Sequence, residues 1–568
     1  MYFLALATDY DGTLAHDGRV VKRTVASLKR LRETGRRLIL VTGREIPDLQ
    51  RLFPETVLFD RVVAENGALL LDPQTGQEQL LAPPPPERFV QRLRELGVGP
   101  ISVGRGIVAT WEPHQGAVLQ AIRELGLELQ IVFNKGAIMI LPAGINKASG
   151  LRAALRELDI SAHNVVSVGD AENDHALLAA SGCGAAVANA VHSVREEADI
   201  VLAGDHGAGV AELIDRIIAE DAALAPPGRR GIRAGTDQDG REVLLAPSGG
   251  GVLIVGRSGS GKSCLATALT EKMAERQFEF CVIDPEGDYI DLEHAVFVGT
   301  LRAPPPAAEA LKLLRDDTVN LVVNTQALPL CERQALISAM LAQIARQRQR
   351  TGRPHWLLID EAHQVLPAAI GDGEAPAPVE VPAAILITAY PHAVSPAVLR
   401  GIDVVLLVGD PDDEMAAAIA GAMGVAVPPP MPACGPDEVL YWQPRSGEPV
   451  ACFRAATPVQ VHRRHRGKYA EGDVGADRSF YFRGPHQAMN RPARNLYRFV
   501  DIAAEVDDAT WEHHLRAGDY SAWFRHVIRD EDLALEARRV EEDPTLPPQE
   551  SRRRIRKAIW RRYAAPAD

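Results

Sequence analysis

The chain has 568 residues, several times the roughly 100–200 of one domain, so two or three separately packed cores are expected. Hydrophobic residues make up 46% and charged residues 24%, which excludes wholesale disorder. A net charge of −13 excludes a protein that coats nucleic acid with its whole surface, leaving only a local basic patch for that purpose.

From the N-terminus, short runs rich in Val, Ile and Leu recur, each followed by a helical pattern, which is the sequence form of a parallel sheet built from βαβ units. The first series predicts strands at 3–8, 38–42, 165–168 and 200–202. A stretch rich in Pro, Gly and Arg at 225–239 then reads as a linker. The second series predicts strands at 252–255, 280–283, 319–323, 356–359, 384–388 and 404–408. Beyond residue 461 the chain turns richer in aromatics and Arg, and its apolar residues (Leu496, Phe499, Trp511, Leu515) fall at helical spacing. The expected class is α/β: two doubly wound parallel-sheet domains at 1–225 and 240–460, a linker at 226–239, and a small helical domain at 461–568. Pro-rich runs at 83–86, 304–306, 375–382 and 428–432 read as stiff surface loops.

The first strand runs into Asp9-Tyr10-Asp11-Gly12-Thr13, two carboxylates at i and i+2 at the carboxyl end of an apolar strand, where doubly wound sheets place ligands. A carboxylate-rich turn is the competing reading. The pentad resembles the DxDGT signature of haloacid dehalogenase (HAD) superfamily phosphatases, and matching segments follow in that superfamily's order. Val41-Thr42-Gly43-Arg44 supplies a hydroxyl, Glu65-Asn66-Gly67-Ala68 resembles the ENGA segment of subfamily IIB, Gly144-Ile145-Asn146-Lys147 supplies a lysine, and Gly169-Asp170-Ala171-Glu172-Asn173-Asp174 resembles the GDxxND motif. The resemblance implies that Asp9 is the nucleophile and Asp11 the acid/base, that Thr42 binds a phosphate oxygen, and that Lys147 neutralises the charge shared by nucleophile and phosphoryl group. It also implies a Mg²⁺ ion held by Asp9, Asp170, Asp174 and the Asp11 backbone carbonyl, an oxygen set suited to a hard cation. The insert at about 84–141 stands where subfamily IIB carries its α/β cap, which would close over a small phosphorylated substrate.

Further on, Gly256-Arg257-Ser258-Gly259-Ser260-Gly261-Lys262-Ser263 follows an apolar strand and precedes a helical pattern, the context of a Walker A loop. Backbone N–H groups released by Gly256, Gly259 and Gly261, with Ser258 and Ser260 between them, would cradle the phosphates of ATP; Lys262 would reach the β and γ phosphates and Ser263 a Mg²⁺ ion. The strand ending in Asp360-Glu361 reads as Walker B, with Asp360 ordering the metal shell and Glu361 polarising the attacking water. Residues 231–445 resemble HerA/FtsK-type P-loop motor ATPases, which implies a RecA-like fold. The resemblance rests also on the Asp284-Pro285-Glu286-Gly287-Asp288-Tyr289 segment and the Ile387-Thr388 strand. It departs from them at Ala389, where that branch commonly has Gln after the sensor Thr. Arg400 reads as a surface residue or as an arginine finger across a subunit boundary, so a homo-oligomeric ring is one of two expectations.

In the tail, 463–466 and 552–562 concentrate the basic residues. A solvated face of a docked helix is the favoured reading over a nucleic-acid partner. His513 and His514 are adjacent, so they face apart on a helix and are poor joint metal ligands. The six cysteines show no CxxC pair, so no disulfide framework and no zinc ribbon is expected. With no long apolar run, the expected setting is the cytoplasm without membrane contact. The function expected is Mg²⁺-dependent phosphomonoester hydrolysis on a small phosphorylated metabolite, fused to an ATP-hydrolysing unit. The alternative is a nucleic-acid motor whose phosphatase trims terminal phosphates or regulates it.

Overall fold

A computed structural model describes residues 1–224, 227–247, 250–257, 260–289, 292–300, 303–314, 319–368, 384–409, 413–428, 431–432, 434–435, 438–459, 470, 474, 478–485, 489–528 and 530–563. Ser258 and Gly259 of the Gly-rich loop, the Pro-rich run 375–382, Pro429 and Pro430, and the basic string 463–466 lie outside the described residues.

The opening apolar run forms β1 (Ala5–Asp9), followed by β2 (Arg37–Val41), β3 (Arg61–Ala64), β4 (Leu69–Asp72) and β5 (Gln77–Leu80). A separate antiparallel sheet comes next: β6 (Ser102–Val103), β7 (Val108–Trp111), β8 (Leu129–Asn134) and β9 (Ala137–Pro142), in the order β6-β7-β9-β8. The chain returns to the first sheet through β10 (Val165–Gly169), β11 (Cys183–Ala186) and β12 (Ile200–Val201), giving the order β12-β11-β10-β1-β2-β3-β4-β5. Leu38, Ile39, Leu40 and Val41 are all fully buried, because both faces of β2 are covered, and this is why a central parallel strand reads as an unbroken apolar run. β3, β4, β5 and β11 are additional to the strands expected from the sequence. β11 is Cys-Gly-Ala-Ala, with no branched residue to announce it, and it is a strand because it pairs with β10 on one edge and β12 on the other.

The second sheet contains β13 (Ile232–Thr236), β14 (Glu242–Leu245), β15 (Gly251–Val255), β16 (Phe280–Asp284), β17 (Val296–Val298), β18 (Leu321–Asn324), β19 (Trp356–Ile359), β20 (Ala384–Thr388), β21 (Ile402–Val408), β22 (Glu438–Trp442) and β23 (Ala451–Ala455). Their order is β14-β13-β23-β22-β21-β15-β20-β19-β16-β18-β17. From β21 to β17 the strands are parallel, and the remaining four add an antiparallel wing. This wing corrects the linker expected at 226–239. Residues Pro227–Arg230 are helical, and β13 pairs with β14 and β23 while Ile232 and Ala234 are fully buried. The alternation Ile-Arg-Ala is a period-two signal that the surrounding Pro, Gly and Arg conceal.

The segment after residue 470 buries an aromatic core of its own, with Phe480, Phe499, Trp511, Tyr520 and Phe524 among helices such as Leu496–Glu505 and Asp508–Ala517. It also holds a hairpin, β24 (Phe480–Phe482) and β25 (Arg491–Ala493), beyond the purely helical expectation. Cys434 and Cys452 form a disulfide, where no disulfide framework was expected; β23 carries Cys452 back against the loop that precedes β22.

The two large sheets meet at the amino ends of their strands. Ser161 N–H donates to Thr351 O at 3.0 Å, His355 Nε2 lies 2.8 Å from Ser161 Oγ, and the His163 ring stacks on Phe278 with centroids 3.8 Å apart. Ser161 and His163 precede β10, whereas Phe278 and His355 precede β16 and β19. Both sets of carboxyl strand ends, where such sheets bind ligands, therefore face away from the contact.

Candidate active sites

In the first sheet, β1 lies between β10 and β2, with Asp9 paired to Val41 and Thr8 to Val168. That register brings Asp9, Thr42 and Asp170 to one end of three neighbouring strands. Lys147 begins the helix Lys147–Leu158, whose start is fixed by a reciprocal cap: Ser149 N–H donates to Asn146 Oδ1 at 3.0 Å and Asn146 N–H to Ser149 Oγ at 2.9 Å. From there the fully buried Lys147 ammonium donates to Asp9 Oδ1 and to Asp174 Oδ1, both at 2.6 Å. Burial alone would lower its pKa, but the Asp174 and Asp9 carboxylates outweigh burial and raise it. Burial pushes Asp9 in the opposite sense for an acid, well above the ordinary carboxylate range, against the pull of Lys147 and with help from Asp174 and Asp170.

Two glycines of the recognised motifs are there for space. A side chain on Gly12, at φ +83°, would collide with Asp170; one on Gly67, at φ +105°, would strike Asn146 O at 2.0 Å, just before Lys147. The ENGA segment is thus a close backbone seat for the Lys147 helix.

Asp9, Asp170 and Asp174 offer carboxylate oxygens within 4.8 Å of one another and are all buried. Thr13 Oγ1 donates to Asp170 Oδ1 at 2.8 Å, and the N–H groups of Asp170 and Ala171 donate to Asp174 Oδ2 at 3.0 and 3.1 Å. Three buried oxygen donors at this spacing fit Mg²⁺. The Asp11 carboxylate stands outside that cluster. Its side chain is instead held by Arg44, Nε to Oδ2 at 2.7 Å and Nη2 to Oδ1 at 2.8 Å. Thr42 is fully buried and its Oγ1 accepts Arg44 N–H at 3.1 Å, which leaves its hydroxyl proton to donate.

Sequence reasoning did not assign three further residues. Arg44, quoted only as part of a motif, is the clamp on Asp11. Lys135, at the tip between β8 and β9, reaches from the small sheet to Asp170. Asn189 Nδ2 donates to Gly12 O at 2.7 Å. Motif spacing carries no signal for the last two, because each arrives from a distant element. Asp9, Asp11, Arg44, Trp111, Lys135 and Asn173 line a cavity of about 840 Å³ between the first sheet and the small one.

In the second sheet, β15 leads to the Gly-rich loop and to the helix Lys262–Glu275, with Gly256, Ser260, Gly261 and Ser263 placed around its start. Lys262 Nζ donates to Gly256 O at 2.9 Å and Arg257 O at 3.1 Å. Asp360 ends the neighbouring stretch after β19, buried, and accepts Glu361 N–H at 2.9 Å. Burial first, then the charges of Asp288, Glu361 and Asp284, push the Asp360 pKa well up. Asp284 accepts the N–H groups of Glu286, Gly287, Asp288 and Tyr289, and burial with Asp288 pushes it up to about 6. Glu361 has φ +44°, a conformation that costs a non-Gly residue energy and that clusters at functional sites. Arg400 is exposed.

In the tail, the basic helix Pro548–Tyr563 is paired within its own unit: Arg552 with Asp508, Arg553 and Arg554 with Glu550, Arg561 and Arg562 with Glu536. His514 is buried against Asp519, 2.7 Å away.

The pattern of the haloacid dehalogenase-like hydrolases matches residues 6–96 and 118–214, and that of the central domain of the helicase HerA matches residues 251–351. The chain is 32% identical over 227 residues to the phosphoglycolate phosphatase of Methanothermobacter thermautotrophicus, an alignment covering 38% of this chain and 98% of that protein. It is 30% identical over 224 residues to phosphoglycolate phosphatase 2 of Saccharolobus solfataricus, covering 38% of this chain and 93% of the relative. A solved haloacid dehalogenase-like hydrolase from Bacteroides thetaiotaomicron is similar at 20% identity and a TM-score of 0.34, over 38% of this chain and 99% of that one.

Proposed function

The chain belongs to the haloacid dehalogenase-like hydrolases, and on that premise we propose that its first 225 residues form a Mg²⁺-dependent phosphomonoesterase for a small phosphorylated metabolite, followed by an ATP-hydrolysing HerA-like unit. The observation that carries the phosphatase reading is the bridge from Lys147 to both Asp9 and Asp174, at 2.6 Å each, beside Asp170. Phosphoglycolate is the first substrate to try, because the relatives carry that name.

In this reading an Asp9 oxygen attacks phosphorus, the bond from phosphorus to the substrate oxygen breaks, and Asp11 gives that oxygen a proton. Asp11 then takes a proton from water, whose oxygen attacks the aspartyl phosphate and frees Asp9 and inorganic phosphate. Thr42 donates its hydroxyl to a phosphate oxygen, Lys147 offsets the charge gathering between Asp9 and the phosphoryl group, and Arg44 keeps Asp11 oriented. A magnesium ion held by Asp9, Asp170 and Asp174 supplies positive charge to the phosphoryl oxygens when bound. In the second unit, Lys262 and Ser263 would hold ATP and its metal, with Asp360 and Glu361 at the scissile end. The nucleic-acid alternative loses support from the described basic helix Pro548–Tyr563, in which Arg552, Arg553, Arg554, Arg561 and Arg562 are paired with acids of the same unit.

The test is phosphate release from phosphoglycolate and from an aryl phosphate, with Mg²⁺ or with a chelator. Asp9→Asn should abolish release and Lys262→Ala should leave it intact. Equal loss in the two variants would defeat the assignment of separate sites.

A further inference from the structure

Thr388 closes β20, between β15 and β19, and is fully buried. Its sequence neighbour is Ala389, so the Gln that commonly accompanies such a Thr is missing. Another side chain reaches the same hydroxyl. His363 Nδ1 lies 3.1 Å from Thr388 Oγ1 and 3.2 Å from Glu361 Oε2. Tyr390 N–H donates to Thr388 Oγ1 at 2.9 Å, and the Tyr390 ring stands edge-on to the imidazole with centroids 5.0 Å apart.

These contacts determine the tautomer. A carboxylate oxygen only accepts, so a nitrogen facing Glu361 at 3.2 Å carries the proton; a bare nitrogen there would set two lone pairs against each other. Thr388 Oγ1 is then an acceptor for both Nδ1–H and Tyr390 N–H, and its own proton remains for a third partner. β20 adjoins β15, and Thr388 pairs with Val255, whose strand end opens into the phosphate-binding loop. Burial lowers the imidazole pKa against the opposing charge of Glu286, with the His392 and Lys262 charges acting in the same direction as burial.

We infer that His363 is a positioning residue of the ATP site, holding the Glu361 carboxylate toward the attacking water and turning the Thr388 hydroxyl toward the phosphate. During hydrolysis the water oxygen bonds to the γ-phosphorus, the bond to the β-phosphate oxygen breaks, and Glu361 takes the water proton. His363 neither gains nor loses a proton in the step. The inference rests on reading the second site as an ATPase.

The experiment is steady-state ATP turnover by the full chain, with phosphate release from an aryl phosphate followed in every variant as a check that the chain is folded. His363→Ala should lower kcat about 10- to 100-fold, the scale of one lost hydrogen bond to a charged group, with KM for ATP changed less than about threefold. His363→Asn, which returns an N–H near the Nδ1 position, should recover most of that loss. Thr388→Val combined with His363→Ala should be little worse than His363→Ala alone, since the two act as one unit. An unchanged kcat in His363→Ala, an Asn variant as impaired as the Ala variant, or fully additive losses would overturn the inference. Turnover by the unaltered chain no faster than by Lys262→Ala would instead refute the ATPase reading, and the inference with it.

Discussion

Lys147 bridges two buried carboxylates, Asp9 and Asp174, with Asp170 beside them, and its worth is best seen by asking what its removal leaves behind. Without the ammonium, Asp9, Asp170 and Asp174 remain buried with a net negative charge, and breaking a buried pair in this way costs about 3–5 kcal/mol. Lys147→Met should therefore lower the melting temperature in chelator and regain much of the loss in Mg²⁺, because a cation at the three acids replaces the missing charge. Equal melting temperatures for variant and unaltered chain in both buffers would refute this. Three residues of this centre were legible because each sits at a strand end that the apolar pattern already marks: Asp9 closing β1, Thr42 after β2, Asp170 after β10. Lys135 and the His363–Thr388 contact were not legible. Lys135 rides on a hairpin inserted between β5 and β10, and Thr388 stands 25 residues beyond His363, so only the folded chain brings them to their partners.

Elements announced themselves in proportion to how completely they are buried on both faces. β1, β2, β15, β16, β19 and β20 are mostly apolar and lie where the apolar pattern predicts strands, whereas β13 alternates and β11 is built of small residues, so neither stands out from loop composition. The helix Lys147–Leu158 owes its sharp start to Asn146 and Ser149, whose reciprocal hydrogen bonds satisfy two backbone donors at the turn that presents Lys147. Asn146→Ala should cost about 1–2 kcal/mol in chemical denaturation. It should also lower phosphatase kcat more than KM, since a frayed first turn loosens Lys147 without touching the substrate-binding face of the small sheet. If stability falls while kcat holds, the cap serves the fold alone.

At the scale of the whole molecule, the contact between the two sheets joins elements that begin at both sites. The helix Lys147–Leu158 ends at Asp159, whose carboxylate lies 3.4 Å from Arg353, and Ser161 follows at once with its hydrogen bond to Thr351. Thr351 closes the helix Leu330–Thr351, which starts beside the Walker B segment, where Arg333 and Gln334 both hydrogen-bond Gln364. Within this contact His163 is a group whose basicity the fold lowers. Its Nε2 faces Gln277 O at 3.0 Å, and burial, with the nearby His355 and Arg230 charges, pushes its pKa from the ordinary 6.5 to about 3. A base depressed in the folded state binds fewer protons than the unfolded chain between those two values, so stability rises with pH across that window and falls as acid is added. The slope from this residue is at most about 1.4 kcal/mol per pH unit. Below pH 6.5 the unaltered chain should accordingly lose stability faster than His163→Phe, in which a ring can still stack on Phe278 but no nitrogen titrates. Denaturant midpoints at pH 7.5, 6.0 and 5.0 measure the difference. Parallel pH profiles for the two proteins would mean that His163 does not sense acid at this contact and that acid loosening, where it occurs, begins elsewhere in the chain.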